Sequence, residues 1–157
     1  MFHVAMAKVD YNAEYHYCYC TKSNRFSFIM ERVLSNDVHL ETSSAFDIDI
    51  VQKMAAKGMI PKDRHVVCNG YKTEGYLDNI AALVNHGHDN VINIIDHVEE
   101  LDQLTSRIEK KAKVGIRIAS EEEPKFEFYT SRLGIGYRDI LEFYKTKIAD
   151  NDKAELK

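Results

Sequence analysis

The chain reads as an α/β protein made of repeated βα units, and three observations carry that reading. Segments with strand character begin near positions 15, 38, 65, 91 and 113. A helical pattern of apolar residues fills every gap between them. Polar residues also collect at the C-terminal ends of strands one, two and five, as Lys22, Glu41 and Arg117. Strict alternation implies a parallel sheet with right-handed crossovers, either doubly wound or curled into a barrel. A doubly wound sheet is covered by helices on both faces and needs both sets of strand residues apolar. One polar face converging at the strand ends fits the inner mouth of a barrel better. The predicted fold is therefore a parallel (β/α)8 TIM-type barrel, incomplete, with about five strands present.

Each element can be justified in order. Residues 1 to 14 carry a weak helical pattern that turns near Tyr11-Asn12. Residues 15 to 22 alternate as a strand: Tyr15, Tyr17, Tyr19 and Thr21 take one face, and His16, Cys18, Cys20 and Lys22 the other. Ser23-Asn24 offers N-cap side chains to a helix with apolar positions Phe26, Ile29, Met30 and Val33. Val38 to Thr42 is a short second strand, with His39 and Glu41 opposite Val38, Leu40 and Thr42. Ser44 and Asp47 form an approximate capping box for a helix that turns Ile48, Val51, Met54 and Ala55 inward and stops at Gly58.

His65 to Asn69 is a buried third strand closed by Gly70, followed by a helix from Thr73 to His86 that Gly87 ends. Val91 to Ile95 is strand four. Asp96 and Glu99 suggest a second capping box before the stripe Val98, Leu101, Leu104 and Ile108, and Lys113 to Ile118 is strand five. Beyond it, Glu121-Glu122-Glu123-Pro124-Lys125 reads as a solvated acidic loop, and Phe126-Glu127-Phe128-Tyr129 alternates. A final helix spans Tyr137 to Ile148. No sixth buried strand is expected. The domain is placed at residues 1 to 148, and residues 149 to 157 read as a charged tail, leaving an open fifth-strand edge prone to association.

Bulk properties narrow the function classes. With 157 residues, 45% hydrophobic and 29% charged, the chain has the makeup of one soluble globular domain. A net charge of −4 argues against a nucleic-acid surface, which needs a basic face. No apolar run reaches the length of a membrane span, and the opening residues lack a signal-peptide design. Three cysteines, two of them on one strand face, point to a reduced, cytoplasmic setting.

Among the polar residues, Lys22, Glu41 and Arg117 form the constellation that matters. A strand-end lysine is commonly just solvated; held in a pocket, its desolvated amine becomes a Schiff-base nucleophile. A neighbouring carboxylate would orient it and handle protons, and an arginine fork would bind a phenolate or carboxylate. The competing account is an inter-strand salt-bridge network that only neutralises buried charge. His86-Gly87-His88-Asp89 fits a helix C-cap and polar turn better than a metal site. Cys18, Cys20 and Cys68 lack a fourth ligand and read as small core thiols, so no metal is assigned. Gly134-Ile135-Gly136 follows no clear strand and is weak evidence for a phosphate loop.

Four ordered segments resemble one family. Tyr19-Cys20-Thr21-Lys22-Ser23-Asn24 resembles the lysine motif of the fold-type III pyridoxal-phosphate decarboxylases, where a strand ends in Lys-x-Asn. Leu40-Glu41-Thr42-Ser43-Ser44-Ala45-Phe46-Asp47 is similar to that family's second-strand signature. Val67-Cys68-Asn69-Gly70-Tyr71-Lys72 and Gly115-Ile116-Arg117-Ile118-Ala119-Ser120 resemble the third- and fifth-strand signatures of its biosynthetic arginine decarboxylase branch.

The resemblance implies pyridoxal 5′-phosphate as cofactor, with Lys22 as its covalent anchor, Glu41 beside it and Arg117 near its ring hydroxyl. It further implies decarboxylation of a basic amino acid, arginine to agmatine foremost, by a cytoplasmic homo-oligomer when full length. The family's later histidine strand, phosphate loops, ring-nitrogen acid and β-domain have no counterpart here, and Ser131-Arg132-Leu133-Gly134 replaces the usual Lys-Phe-Gly step. The chain therefore reads as the N-terminal portion of such an enzyme. The alternatives are a non-catalytic barrel that binds the same cofactor, or an interaction fragment completed by a partner chain.

Overall fold

Six parallel strands lie side by side in the order of the chain, each hydrogen-bonded to the next, in a computed structural model that describes residues 2–119 and 133–157. They are β1 (Cys18–Cys20), β2 (His39–Thr42), β3 (Val66–Cys68), β4 (Val91–Ile95), β5 (Ala112–Ile116) and β6 (Ala154–Leu156). Between and around them run α1 (Phe2–Lys8), α2 (Ser27–Leu34), α3 (Ala45–Ala56), α4 (Glu74–Asn85), α5 (Val98–Thr105) and α6 (Ile140–Phe143). One π-helical turn, Tyr144–Ile148, continues α6. A sheet whose strands never reverse their spatial order is wound in one direction, as in a barrel; a doubly wound sheet has a switch point.

The strand register separates two faces. Leu40, Val66 and Val91 form one row, and Thr42, Cys68, Asn93 and Val114 the next; all are buried on the side of the helices. Thr42 marks that side directly, because its hydroxyl is 2.9 Å from the Tyr76 hydroxyl on α4. The helices answer with Met30, Ile48, Val51, Leu77, Ile80, Leu101 and Leu104, all fully buried. Each such side chain contributes about 1.5–3 kcal/mol of burial. On the opposite face Cys20, Glu41, Val67, Ile92, Lys113 and Glu155 form a continuous row, and every one of them is only half-buried. This is the inner face of the barrel arc.

Local signals account for the starts of α3 and α4, whereas α2 begins behind Phe26 with no side-chain cap from Ser23 or Asn24. Ser44 caps α3 by accepting from the Asp47 amide, and Thr73 caps α4 by accepting from the Tyr76 amide at 3.3 Å. His86 is the C-cap of α4, with Gly87 behind it at φ +82°.

Three expectations need correction. The first strand does not run from 15 to 22: the ladder starts with Tyr17 accepting from the His39 amide at 2.8 Å. It closes with the Thr21 amide donating to Glu41 at 2.9 Å. A turn held by the Ser23 amide on the Cys20 carbonyl, 3.1 Å, then takes Lys22 off the ladder. The second capping box is also displaced. Glu100, not Glu99, reaches back to the Asp96 amide at 2.9 Å, and the N-cap of α5 is His97.

The third correction is a sixth strand inside the segment read as a charged tail, which covers the fifth-strand edge. Only Ala154 of its three residues is buried, so its alternation is too short to register in the sequence. Charge still serves packing there. The Lys153 amine donates to the carbonyls of Thr105 and Ile108, at 3.0 and 2.9 Å, and closes the C-terminal end of α5. The acidic loop at 121 to 125 and the alternating stretch at 126 to 129 lie outside the described residues.

Candidate functional site

The C-terminal strand ends carry the polar residues singled out above, and the turns that follow β1 and β2 are bound to each other. Lys22 and Ser23 are exposed in the first turn, beside a shallow cavity they line with Asn24, Arg25 and Phe26. The Tyr19 hydroxyl donates to the Asn24 carbonyl at 2.9 Å, and the Asn24 side chain accepts from the Phe26 amide at 3.1 Å. These bonds fix the turn on the strand that precedes it. Arg25 reaches across to Asp47 at 3.3 Å. Asp47 is fully buried and also accepts from the Ser43 amide at 3.0 Å, the Ser43 hydroxyl at 3.3 Å and the Ser44 hydroxyl at 3.0 Å. A single carboxylate thus holds both turns.

Glu41 faces the inner side of the arc, opposite Cys20 in the register. Its Oε1 accepts from the Asn69 side-chain amide at 3.3 Å, and Asn69 is held in turn by the Gly70 amide at 2.9 Å. Burial, then the neighbouring Glu41 charge, push the Cys18 thiol above its usual range. Arg117 lies further along the sheet, about two-fifths exposed, with Nη1 3.7 Å from Oδ1 of the fully buried Asp96. Among the described residues no hydrogen bond or ion pair joins Lys22, Glu41 and Arg117. Each has its own surroundings: solvent for Lys22, Asn69 for Glu41, Asp96 for Arg117.

Three buried charged residues around these strand ends, Lys72, Asp96 and Glu100, escaped the sequence reading as site components. Lys72 is buried after β3, and its amine donates to the carbonyls of Gly70 at 2.6 Å and Ile94 at 2.5 Å. It also stands 3.7 Å from Glu100, which holds the Asp96 amide. Burial lowers the Lys72 pKa, against the opposing pull of Glu100 and Asp96. Lys72 ends the third-strand segment quoted above, so the signal was in view. What the segment lacked was any sign that its lysine turns into the protein rather than out of it.

Gly134 explains how Arg117 is held from behind. The chain returns alongside β5 through a parallel bridge of Ile118 with Ile135, whose amide donates to the Arg117 carbonyl at 2.8 Å. Gly134 takes φ +102°, and a Cβ there would lie 2.8 Å from the Ala119 amide nitrogen and 2.9 Å from the Arg117 carbonyl oxygen. Both are backbone atoms and cannot swing aside. Gly134 is therefore a packing device at the end of strand five. Gly134→Ala is expected to cost about 1–3 kcal/mol in urea denaturation. Gly136→Ala, whose added carbon among the described residues meets only the Asp139 side chain, should cost less.

Comparison with known proteins bears on the family and the fold. Residues 3–149 match the family described as pyridoxal-dependent decarboxylase, pyridoxal binding domain. A biosynthetic arginine decarboxylase of Shewanella amazonensis is 28% identical over 123 residues, covering 74% of this chain and 18% of that protein. The chain therefore spans about a fifth of the length of the curated relatives it matches. In fold it is similar to diaminopimelate decarboxylase from M. jannaschii in complex with L-lysine, with a TM-score of 0.75 at 16% identity, covering 98% of this chain and 36% of that one. The diaminopimelate decarboxylase of Helicobacter pylori gives a TM-score of 0.71 at 18% identity, covering 98% and 39%. At these identities the structural likeness speaks to the fold.

Proposed function

Because the chain belongs to the pyridoxal-dependent decarboxylases, residues 3–149 matching their pyridoxal-binding domain, we propose that it forms the N-terminal barrel portion of an amino-acid decarboxylase whose substrate is arginine. The arginine assignment leans on relatives 25–28% identical that are named biosynthetic arginine decarboxylases, and on the third- and fifth-strand segments quoted earlier. The observation that carries the site is the amine of Lys22 in the turn directly after β1, one strand from the inward-facing Glu41.

The donor set suits a phosphorylated pyridine aldehyde. An accessible primary amine can anchor the aldehyde, a carboxylate can accept or hold a proton, and a guanidinium can donate to an anionic ring oxygen. When bound, the cofactor supplies the electron sink that lets an amino acid lose its carboxylate. The rest falls to this chain. Lys22 anchors the cofactor, and the turn bonds from Tyr19 and Asn24 limit where that anchor reaches. Glu41, kept in place by Asn69, orients polar hydrogens beside it. Arg117 offers its donors while Asp96 fixes its position and balances its charge. In this reading the protein works in the cytoplasm as a homo-oligomer when full length.

A second reading, a barrel completed by a partner chain, is favoured by one observation: the entire inner row from Cys20 to Glu155 is only half-covered. A closed barrel has eight strands, and further strands would bury that row.

The decisive experiment adds pyridoxal phosphate to the purified chain, reduces with borohydride and maps the label by mass spectrometry. Label confined to Lys22 and absent from Lys22→Ala is the expected result. Label spread over surface lysines, or none, rejects Lys22 as the anchor.

A further inference from the structure

We propose that His16, His39 and His65 form a binding site for a divalent transition-metal ion of the zinc class at the N-terminal ends of β1, β2 and β3. Strand alternation puts the three rings on the inner face: His16 precedes Cys18 and Cys20, His39 precedes Glu41, and His65 precedes Val67. In a flat sheet, side chains on the first and third of three strands stand roughly 9–10 Å apart. Here the ring centroids lie 4.8 Å apart for His16–His39, 4.5 Å for His16–His65 and 4.5 Å for His39–His65. The curving arc has closed the row into a near-equilateral triangle. One ligand nitrogen from each ring lies within 4.8 Å of the other two, so small ring rotations would bring all three around one ion. Imidazole nitrogen is the commonest metal donor, and three of them with an open fourth position is a zinc-type set.

Neighbouring groups decide which nitrogens are free. Nε2 of His16 lies 3.2 Å from a Glu14 carboxylate oxygen, which keeps the ring proton there and leaves Nδ1 as a lone pair. A carboxylate on the far nitrogen is the usual second partner of a metal-bound histidine. Nδ1 of His16 in turn faces Nε2 of His39 at 3.0 Å. His39 Nδ1 accepts from the His65 amide at 3.2 Å, so in the free chain the His39 proton sits on Nε2, pointing at His16. An ion would take the position of that proton. The His39 proton would then move to Nδ1, and the ring would turn away from the His65 amide.

Two cations stand nearby and both are engaged elsewhere: Arg64 on Asp37 at 2.5 Å and Lys113 on the Asn90 side chain at 2.5 Å. The site lies at the opposite end of the strands from Lys22. It is independent of the cofactor reading.

The test is a titration of the chain, free of any histidine tag, with Co2+, followed by its visible absorption, then displacement by Zn2+. One equivalent with the intense bands of a tetrahedral ion is expected, abolished in His16→Asn and His65→Asn and retained in His88→Asn. Circular dichroism checks folding. His16 has a side chain 42% exposed, so its variant decides the matter even if His65→Asn fails to fold. Zn2+ should also raise the melting temperature of the parent chain and not that of His16→Asn. Absence of the bands at tenfold excess, or their persistence in His16→Asn, overturns the site.

Discussion

Lys72→Met is expected to destabilise the chain by about 3–5 kcal/mol, the range seen when one partner of a buried ion pair is removed. Methionine nearly preserves the volume, so the loss isolates charge and hydrogen bonding from packing. The carbonyls of Gly70 and Ile94 lose their donor, and Glu100 is left buried without the ammonium 3.7 Å away. Asp96, already buried and without a hydrogen bond to its carboxylate among the described residues, would keep only Arg117. The midpoint of urea unfolding measures the effect. Adding Glu100→Gln should recover part of it, because the second change removes the stranded charge. A midpoint within experimental error of the parent would show that Lys72 is dispensable to the strand-end network.

Asp47→Ala should cost about 2–4 kcal/mol, since hydrogen bonds to a charged group are worth roughly 1.5–3 kcal/mol and several end on this one carboxylate. Its loss would free the Ser43 amide, the Ser43 and Ser44 hydroxyls and Arg25 together. The effect should be local as well as global. Amide exchange ought to speed up first at Ser43 and Ser44 and in the turn that carries Lys22, before the interior of α3 opens. Asp47→Asn keeps one acceptor oxygen and should fall between parent and alanine variant. Equal exchange rates in both turns would separate Asp47 from the support of the site.

Much of the fold was legible because a strand period of two and a helix period of 3.6 leave different traces. Leu40, Val66, Val91 and Val114 mark the buried side of their strands, and Ser44 and Thr73 announce the helices that follow. The inner polar face was legible for the same reason, since Glu41 and Arg117 stand opposite the apolar set of their strands. Contacts made between strands were not. Arg117 meets Asp96 because β4 and β5 are adjacent, a fact no spacing within either strand encodes. The turn that removes Lys22 from the ladder depends on one backbone bond, from Ser23 to Cys20. The histidine triangle joins residues 23 and 26 positions apart, far beyond any ligand motif a linear scan recognises.

The unbroken order of the strands bears on how the chain is made. From β2 to β6, each strand among the described residues pairs with the one synthesised just before it, so the arc grows without waiting for a distant partner. Loop closure in each step spans a single βα unit, which keeps its entropic cost small. As the polypeptide leaves the ribosome, each new strand meets a template already in place, and the sheet can lengthen at the pace of translation.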